Sequence, residues 1–243
     1  MSRKFKIPTR YYDTRTIYKH REFELQPGVT VLIGCNGCGK TTLLYHVKES
    51  LDDDKIPVML YNNLSEGGNH SMSSLVFTGD MDKLALLACS SEGESIAINL
   101  GSQAEKIIYL VNNGRRKKSD LEEAFMKIEG LKEELPVSNE RWLLFDAIDS
   151  GLSIDQVNDV KNYVLHPVID QVKDKEIYIV VTANEYEMCI GEKCFNVAEG
   201  KYVEINSYED YKREILKTRK YKDKMLASYY KRLEEKEKKQ SSK

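Results

Sequence analysis

Val29-Thr30-Val31-Leu32-Ile33-Gly34-Cys35-Asn36-Gly37-Cys38-Gly39-Lys40-Thr41-Thr42 is the stretch that decides the fold. Gly34 to Thr41 fits G-x-x-x-x-G-K-[ST], the phosphate-binding loop. The β-branched run Val29–Ile33 predicts a buried strand, and Thr42-Leu43-Leu44-Tyr45-His46-Val47 predicts the helix that follows. Strand, glycine loop and helix start are the order the chemistry requires. Glycines let backbone N–H groups turn inward around phosphate oxygens, and the helix N-terminus adds positive potential. Gly34, Asn36, Gly37, Cys38, Gly39, Lys40, Thr41 and Thr42 are therefore the expected nucleotide-binding residues. Lys40 is expected to reach the β- and γ-phosphates, and the Thr41 hydroxyl to ligand Mg²⁺. The expected ligand is ATP or GTP with Mg²⁺.

Outward from this loop, strands alternate with helices, which predicts an α/β domain with a mostly parallel sheet. Residues 5–33 are strand-like, with Pro27-Gly28 as a turn. Ile56–Tyr61, Trp142–Asp146 and Ile177–Thr182 read as further strands. Residues 62–74, rich in Asn, Ser and Gly, read as a loop. Residues 79–113 read as helical with a break around Ser90–Glu94, and residues 154–172 as a further helix. Ser119 with Glu122 forms a capping-box pattern for a helix that Pro136 ends. Residues 194–205 read as a hairpin turning at Glu199-Gly200. From Tyr208 onward the chain reads as one long helix opened by Ser207 and Asp210, with Tyr211, Ile215, Met225, Tyr229 and Leu233 at helical spacing.

With 243 residues, 41% of them hydrophobic, the chain suits one large α/β domain with a subdomain. No apolar run approaches the roughly 18 residues a membrane helix needs, so no membrane insertion is expected. The basic N-terminus has no apolar stretch behind it, and the expected location is the cytoplasm. The five cysteines are an odd number, two of them inside the phosphate loop, which points to reduced thiols. Cys189 and Cys194 lack the four-ligand spacing of a zinc site. Net charge is −2, unevenly spread: residues 206–243 hold 13 Lys/Arg and 7 Asp/Glu, a local +6 against −8 elsewhere. A basic tail on an acidic body predicts a contact surface for a protein partner or for nucleic acid, with Arg115-Arg116-Lys117-Lys118 as a second basic element. A solvated helix packed on its own domain is the plainer alternative.

The apolar strand ending in Asp146 predicts a carboxylate that holds Mg²⁺ through water. It is followed by Ala147-Ile148-Asp149-Ser150-Gly151-Leu152-Ser153. This segment resembles the D-loop of ABC-type P-loop ATPases, and in particular their soluble SMC-like, recombination-repair and phage or defence branch. The resemblance covers roughly residues 10–205, read as an ABC-type ATPase domain (1–205) with a helical subdomain at about 75–138 and a basic tail (206–243). It implies a signature sequence at a helix start. Ser90-Ser91-Glu92-Gly93-Glu94 is preferred over Leu64-Ser65-Glu66-Gly67-Gly68-Asn69, which makes Ser91 and Gly93 donors to the γ-phosphate across a homodimer. It also implies an adenine-stacking aromatic, for which Tyr11 and Tyr12 stand in position, Tyr12 foremost. Asn62 and Asn63 are candidates where the family carries a glutamine near Mg²⁺.

Two positions depart from that family. Its glutamate after the acidic strand is Ala147 here, whose methyl group can neither accept a proton nor orient water. Its γ-phosphate-sensing histidine is absent from Val180–Glu185, where Asn184 can hydrogen-bond a phosphate but carries no charge. The resemblance thus implies an ATP-dependent homodimer with slow hydrolysis, a substitute carboxylate in Asp149 or Glu185, or a change at Ala147 that traps ATP. Lys40, Asp146, Asp149 and Asn184 are the expected catalytic residues, with Thr41 and Asp146 at the metal. The branch implies DNA maintenance, repair or phage–host conflict. The alternatives are a nucleotide-binding subunit of a membrane transporter and a non-enzymatic ATP-gated scaffold. Cys38 and Cys89 would approach each other across such a dimer.

Overall fold

A computed structural model describes residues 2–7, 18–66, 80–117, 137–171 and 175–240. Chain order is β1 (Arg3–Lys6), β2 (Glu22–Leu25), β3 (Gly28–Ile33), α1 (Lys40–Asp53), β4 (Val58–Asn62), α2 (Asn63–Glu66), α3 (Met81–Ala88) and α4 (Glu92–Asn113). Then come β5 (Glu140–Asp146), α5 (Ile154–Val160), a π-helical turn (Lys161–Leu165), α6 (His166–Gln171), β6 (Glu176–Thr182), α7 (Tyr186–Cys189), β7 (Lys193–Asn196), β8 (Lys201–Val203) and α8 (Tyr208–Gln240). Among the described residues the main sheet has six strands in the order β4-β5-β6-β3-β7-β8, parallel except for β8. This is the expected α/β P-loop fold: a mixed sheet with helices on both faces and a C-terminal helix.

The central strands are apolar throughout because both of their faces are covered, the usual condition of parallel strands. Alternate residues divide between two cores. Val31, Leu143, Phe145, Ile179 and Val181 face α4, α5 and α6. Leu32, Trp142, Leu144, Tyr178 and Val180 face α1 and the β1–β2 hairpin. Trp142 and Tyr178 stack at 4.0 Å, and Phe5 of β1 meets the indole edge-on at 5.4 Å. Among the described residues β1 and β2 pair with each other and not with the main sheet, which takes only β3 from residues 5–33. The hairpin's aromatic side chains fix it as a lid on the second core.

Helix boundaries follow their caps. Ser91 and Glu94 form a reciprocal capping box at the start of α4, and Gly114, at φ 64°, ends that helix. The predicted break in residues 79–113 therefore falls at Cys89–Ser91. Leu100, Ile107, Leu110 and Val111 of α4 belong to the first core, so this helix shares the core of the sheet. The predicted helix at 154–172 contains a π-helical turn. Lys161 opens that turn, and its buried ammonium donates to the carbonyls of Glu187 (3.1 Å) and Ile190. It thereby caps the end of α7, a tertiary contact with no trace in the local sequence pattern. The loop expected at 62–74 begins as the helical turn α2. The helix expected from Ser119 to Pro136 lies outside the described residues, as does Lys118.

The tail is one helix of 33 residues, about 50 Å long. Ser207 accepts from the Asp210 N–H at 3.2 Å, but the Asp210 carboxylate takes the Asn206 N–H and the Ser207 hydroxyl, so the predicted capping box is modified. Among the described residues, the first half does the packing. Tyr211, Glu214 and Thr218 are buried, whereas Tyr229 and Leu233 are 43% and 37% exposed. The predicted apolar face is therefore split, with Tyr211 and Ile215 against the domain and the distal residues off it. Docking is reinforced at the β7–β8 turn. There Glu199 takes ion pairs from Lys19 (2.8 Å), Lys217 (3.1 Å) and Lys201 (3.2 Å). The lysines, Lys19 foremost, hold the Glu199 carboxyl down to about 2. A carboxyl with a lowered folded-state value stabilises the fold above its unfolded value and loses that contribution as pH falls through the folded one. Wild type should thus lose stability relative to Glu199→Gln between about 4.5 and about 2. Urea unfolding of both proteins across that range, with the difference shrinking on acidification, is the check.

Candidate nucleotide site

The loop Gly34–Gly39 leaves the end of β3 and feeds into α1, whose N-cap Gly39 is left-handed at φ 91°. Lys40 folds back over the loop, and its Nζ donates to the Gly34 carbonyl at 2.9 Å. Tyr18 donates its hydroxyl to the Gly39 carbonyl at 2.7 Å, and burial pushes the phenol well above its ordinary value. Asn36, Gly37, Thr41 and Thr42 stay exposed at the mouth of the loop. Cys38 is buried, and burial pushes its thiol up to about 11, whereas Cys89 is exposed.

Asp146 ends β5 and is buried. Its Oδ1 accepts from the hydroxyls of Thr41 (3.0 Å) and Thr182 (2.7 Å), and its Oδ2 from Asn62 Nδ2 (3.3 Å). Because β6 lies between β5 and β3, Thr182 at the end of β6 bridges the gap between the acidic strand and the loop. A hydroxyl and a carboxylate oxygen side by side are hard donors of the kind that hold Mg²⁺ with several waters. The donor set therefore fits that ion at Thr41 and Asp146.

The two asparagines considered for the metal separate. Asn62 faces Asp146 and also donates to the Tyr45 hydroxyl at 3.3 Å. Asn63 is buried and donates to the carbonyls of Ala147 (3.1 Å) and Ser150 (2.9 Å), which clamps the turn after β5. Ala147 occupies that turn at φ 53°, with its N–H on Thr182 Oγ1 at 2.7 Å. The left-handed region costs a residue with a Cβ roughly 1–2 kcal/mol.

Asp149 is buried, and its Oδ2 accepts the N–H groups of Asn184 (2.6 Å) and Glu185 (2.7 Å) while its Oδ1 has no protein partner. Burial raises its carboxyl above the ordinary range, against the pull of those two amides. Asp149 thus holds the loop after β6, and the side chains of Asn184 and Glu185 are exposed at its rim.

The Ser91–Glu94 helix start packs on the segment after Asp146. A Cβ on Gly93 would lie 2.3 Å from Gln156 Oε1, and one on Gly151 3.2 Å from the Glu92 carboxyl carbon. Gln156 Oε1 in turn accepts from the Ser153 N–H at 3.0 Å. The signature candidate and the segment after Asp146 are therefore joined within one chain. Ser91 Oγ accepts from the Glu94 N–H, and Glu94 Oε2 from the Ser91 N–H at 2.7 Å, so an internal carboxylate already occupies this helix start. Tyr11, Tyr12 and Gly67–Asn69 lie outside the described residues. The contacts of Thr182, Tyr18 and Lys222, whose Nζ donates to the Asn36 carbonyl at 2.7 Å, were not legible beforehand because each depends on strand order or helix docking.

No protein-family profile matches the chain. No curated protein matches it either. Among solved structures, the dimeric form of a bacterial ABC transporter cassette is similar at 12% identity and a TM-score of 0.40, covering 86% of this chain and 100% of that chain.

Asp149→Ala leaves the N–H groups of Asn184 and Glu185 without their acceptor, each worth about 1–3 kcal/mol. Unfolding in urea should show a loss of about 2–5 kcal/mol, and Asp149→Asn, which keeps one acceptor oxygen, should recover most of it. Ala147→Gly should instead stabilise by about 1 kcal/mol in the same assay by relieving the left-handed turn.

Proposed function

We propose that this chain is an ATP-binding, ABC-type P-loop ATPase that closes as a homodimer around two Mg-ATP molecules and hydrolyses them slowly. The observation that carries the reading is the Lys40–Thr41–Asp146 group, with the Thr41 hydroxyl 3.0 Å from the Asp146 carboxylate at the mouth of a glycine loop. Inward N–H groups of residues 37–41 bind the phosphates, Lys40 leaves the Gly34 carbonyl for the β- and γ-phosphates, and Thr41 and Asp146 hold Mg²⁺. When bound, Mg²⁺ neutralises charge on the transferring phosphoryl group. Asn184, exposed beyond β6, supplies an uncharged hydrogen bond toward the terminal phosphate. Ser91 exchanges its bonds to the Glu94 carboxylate for the γ-phosphate of the partner's nucleotide, which it reads together with Gly93.

The base is the weak point. Ala147 offers none, and general-base assistance is worth roughly 10²–10⁴-fold. Asp149 is engaged by two amides, which makes it a positioning residue, so Glu185 is the carboxylate left to orient water. The packing of Gly93 on α5 and of Gly151 on α4 holds the two segments together within one chain. A role in DNA maintenance or phage–host conflict would use the basic distal part of α8, in which case association with nucleic acid should weaken steeply with salt.

Light-scattering mass with and without Mg-ATP tests the assembly. The dimer should appear with nucleotide and be absent in Lys40→Ala; a chain that binds ATP yet stays monomeric removes the signature assignment. Phosphate release tests the base. Ala147→Glu should raise turnover by about 10²-fold, and Glu185→Gln should lower the residual rate. Unchanged rates in both variants would mean that neither position governs the water.

A further inference from the structure

The C-terminal helix touches the nucleotide site at both ends. Tyr211, Thr218 and Lys222 are spaced i, i+7 and i+11 and so lie on one stripe of α8. The Tyr211 hydroxyl donates to the Asn184 carbonyl at 2.5 Å. The Thr218 methyl lies 3.3 Å from where a Cβ on Gly34 would stand. Lys222 Nζ donates to the Asn36 carbonyl at 2.7 Å and would be 3.5 Å from a Cβ on Gly37. This stripe is registered to the sheet, since Asn196 of β7 donates to Glu214 Oε2 at 2.8 Å, and β7 pairs with β3.

We infer that α8 braces the phosphate loop from outside, with Lys222 as a positioning residue for nucleotide binding; this rests on the nucleotide reading above. A trans peptide is planar, so its C=O and N–H point in opposite directions. A cation that holds the Asn36 carbonyl outward fixes the Gly37 N–H inward, where a phosphate oxygen needs it. Without the brace that peptide is free to turn over, because Gly37, at φ 71°, meets no Cβ penalty on either side. The ammonium also polarises the peptide and strengthens its N–H as a donor. Linkage makes the effect reciprocal: a nucleotide that needs the braced loop tightens the docking of α8 by the same factor. The basic helix is thereby coupled to occupancy of the site.

Mg-ATP titration of the full chain by calorimetry, with hydrogen exchange of residues 208–225, tests this. Lys222→Met keeps the stem and loses the donor. It should bind Mg-ATP about tenfold more weakly, the scale of one hydrogen bond to a charged group. Lys222→Arg, which still donates, should recover most of the loss. In wild type Mg-ATP should slow exchange in 208–225, and in Lys222→Met it should not. Far-UV circular dichroism equal to wild type shows that the variants are folded. Wild-type affinity in Lys222→Met, no recovery in Lys222→Arg, or exchange in α8 that ignores nucleotide would each overturn the brace. A wild-type chain that fails to bind Mg-ATP would instead bring down the nucleotide reading, and the brace with it.

Discussion

The buried carboxylate of Asp146 is the constraint from which the site is built. A charge taken out of water must be met by donors. Here they come from three distant parts of the chain: Thr41 at the start of α1, Asn62 at the end of β4 and Thr182 at the end of β6. Satisfying one side chain thus draws the phosphate loop and two neighbouring strand ends to one point. The contact also propagates, because Thr182 accepts the Ala147 N–H and so sets the turn that follows β5. Asn63, one residue beyond Asn62 and pointing the other way, locks the same turn through the carbonyls of Ala147 and Ser150.

That turn converts the Asp146 contact into the geometry of the opposite wall. Once Ala147 is held left-handed, Asp149 is delivered beneath the loop after β6, where it takes two backbone amides. The short helix α7 that continues this loop is finished by Lys161, which itself sits within 3.8 Å of Glu192. His166 Nε2 reaches the same carboxylate oxygen of Glu192 at 2.6 Å. The loop carrying Asn184 and Glu185 is therefore held from below by an acid and at its far end by a buried base. Placement of a π-helical turn here fits the habit of such turns to accompany functional sites, since the wider coil directs Lys161 inward.

The parts of this fold visible in the sequence were those whose signal is local. The glycine loop, the apolar strands and the helix break near Ser90 follow from spacing and residue type alone, and each stands close to where those patterns put it. Long-range partners were hidden. Thr182 reads as the last residue of a strand, and only the strand order makes it a ligand of Asp146. Asp149 reads as a spare carboxylate, and only the approach of the β6 loop shows its amide partners. In α8 the apolar spacing pointed to Tyr211 and Ile215, but the polar Thr218 and Lys222 on the same side carry the contact with the loop. Periodicity of apolar residues has no means of marking a lysine whose partner is a backbone carbonyl.

The uneven charge acquires a physical meaning from the way α8 docks. Its first half spends its cations on the domain: Lys217 is paired with Glu199 and Glu214, and Lys222 with a carbonyl of the loop. Its second half leaves the body, with Leu226 and Tyr230 exposed between lysines and arginines. The pairs Arg213–Asp210 and Arg219–Asp223 and the capping residues add support within the docked half of the helix. Beyond its docked half, α8 runs on as an unbroken rod to Gln240. From Lys222 to Gln240 that rod is about 27 Å long. A small tilt where α8 meets Asn36 and Asn184 is thereby enlarged at the basic end, and the enlargement requires no change in the helix itself.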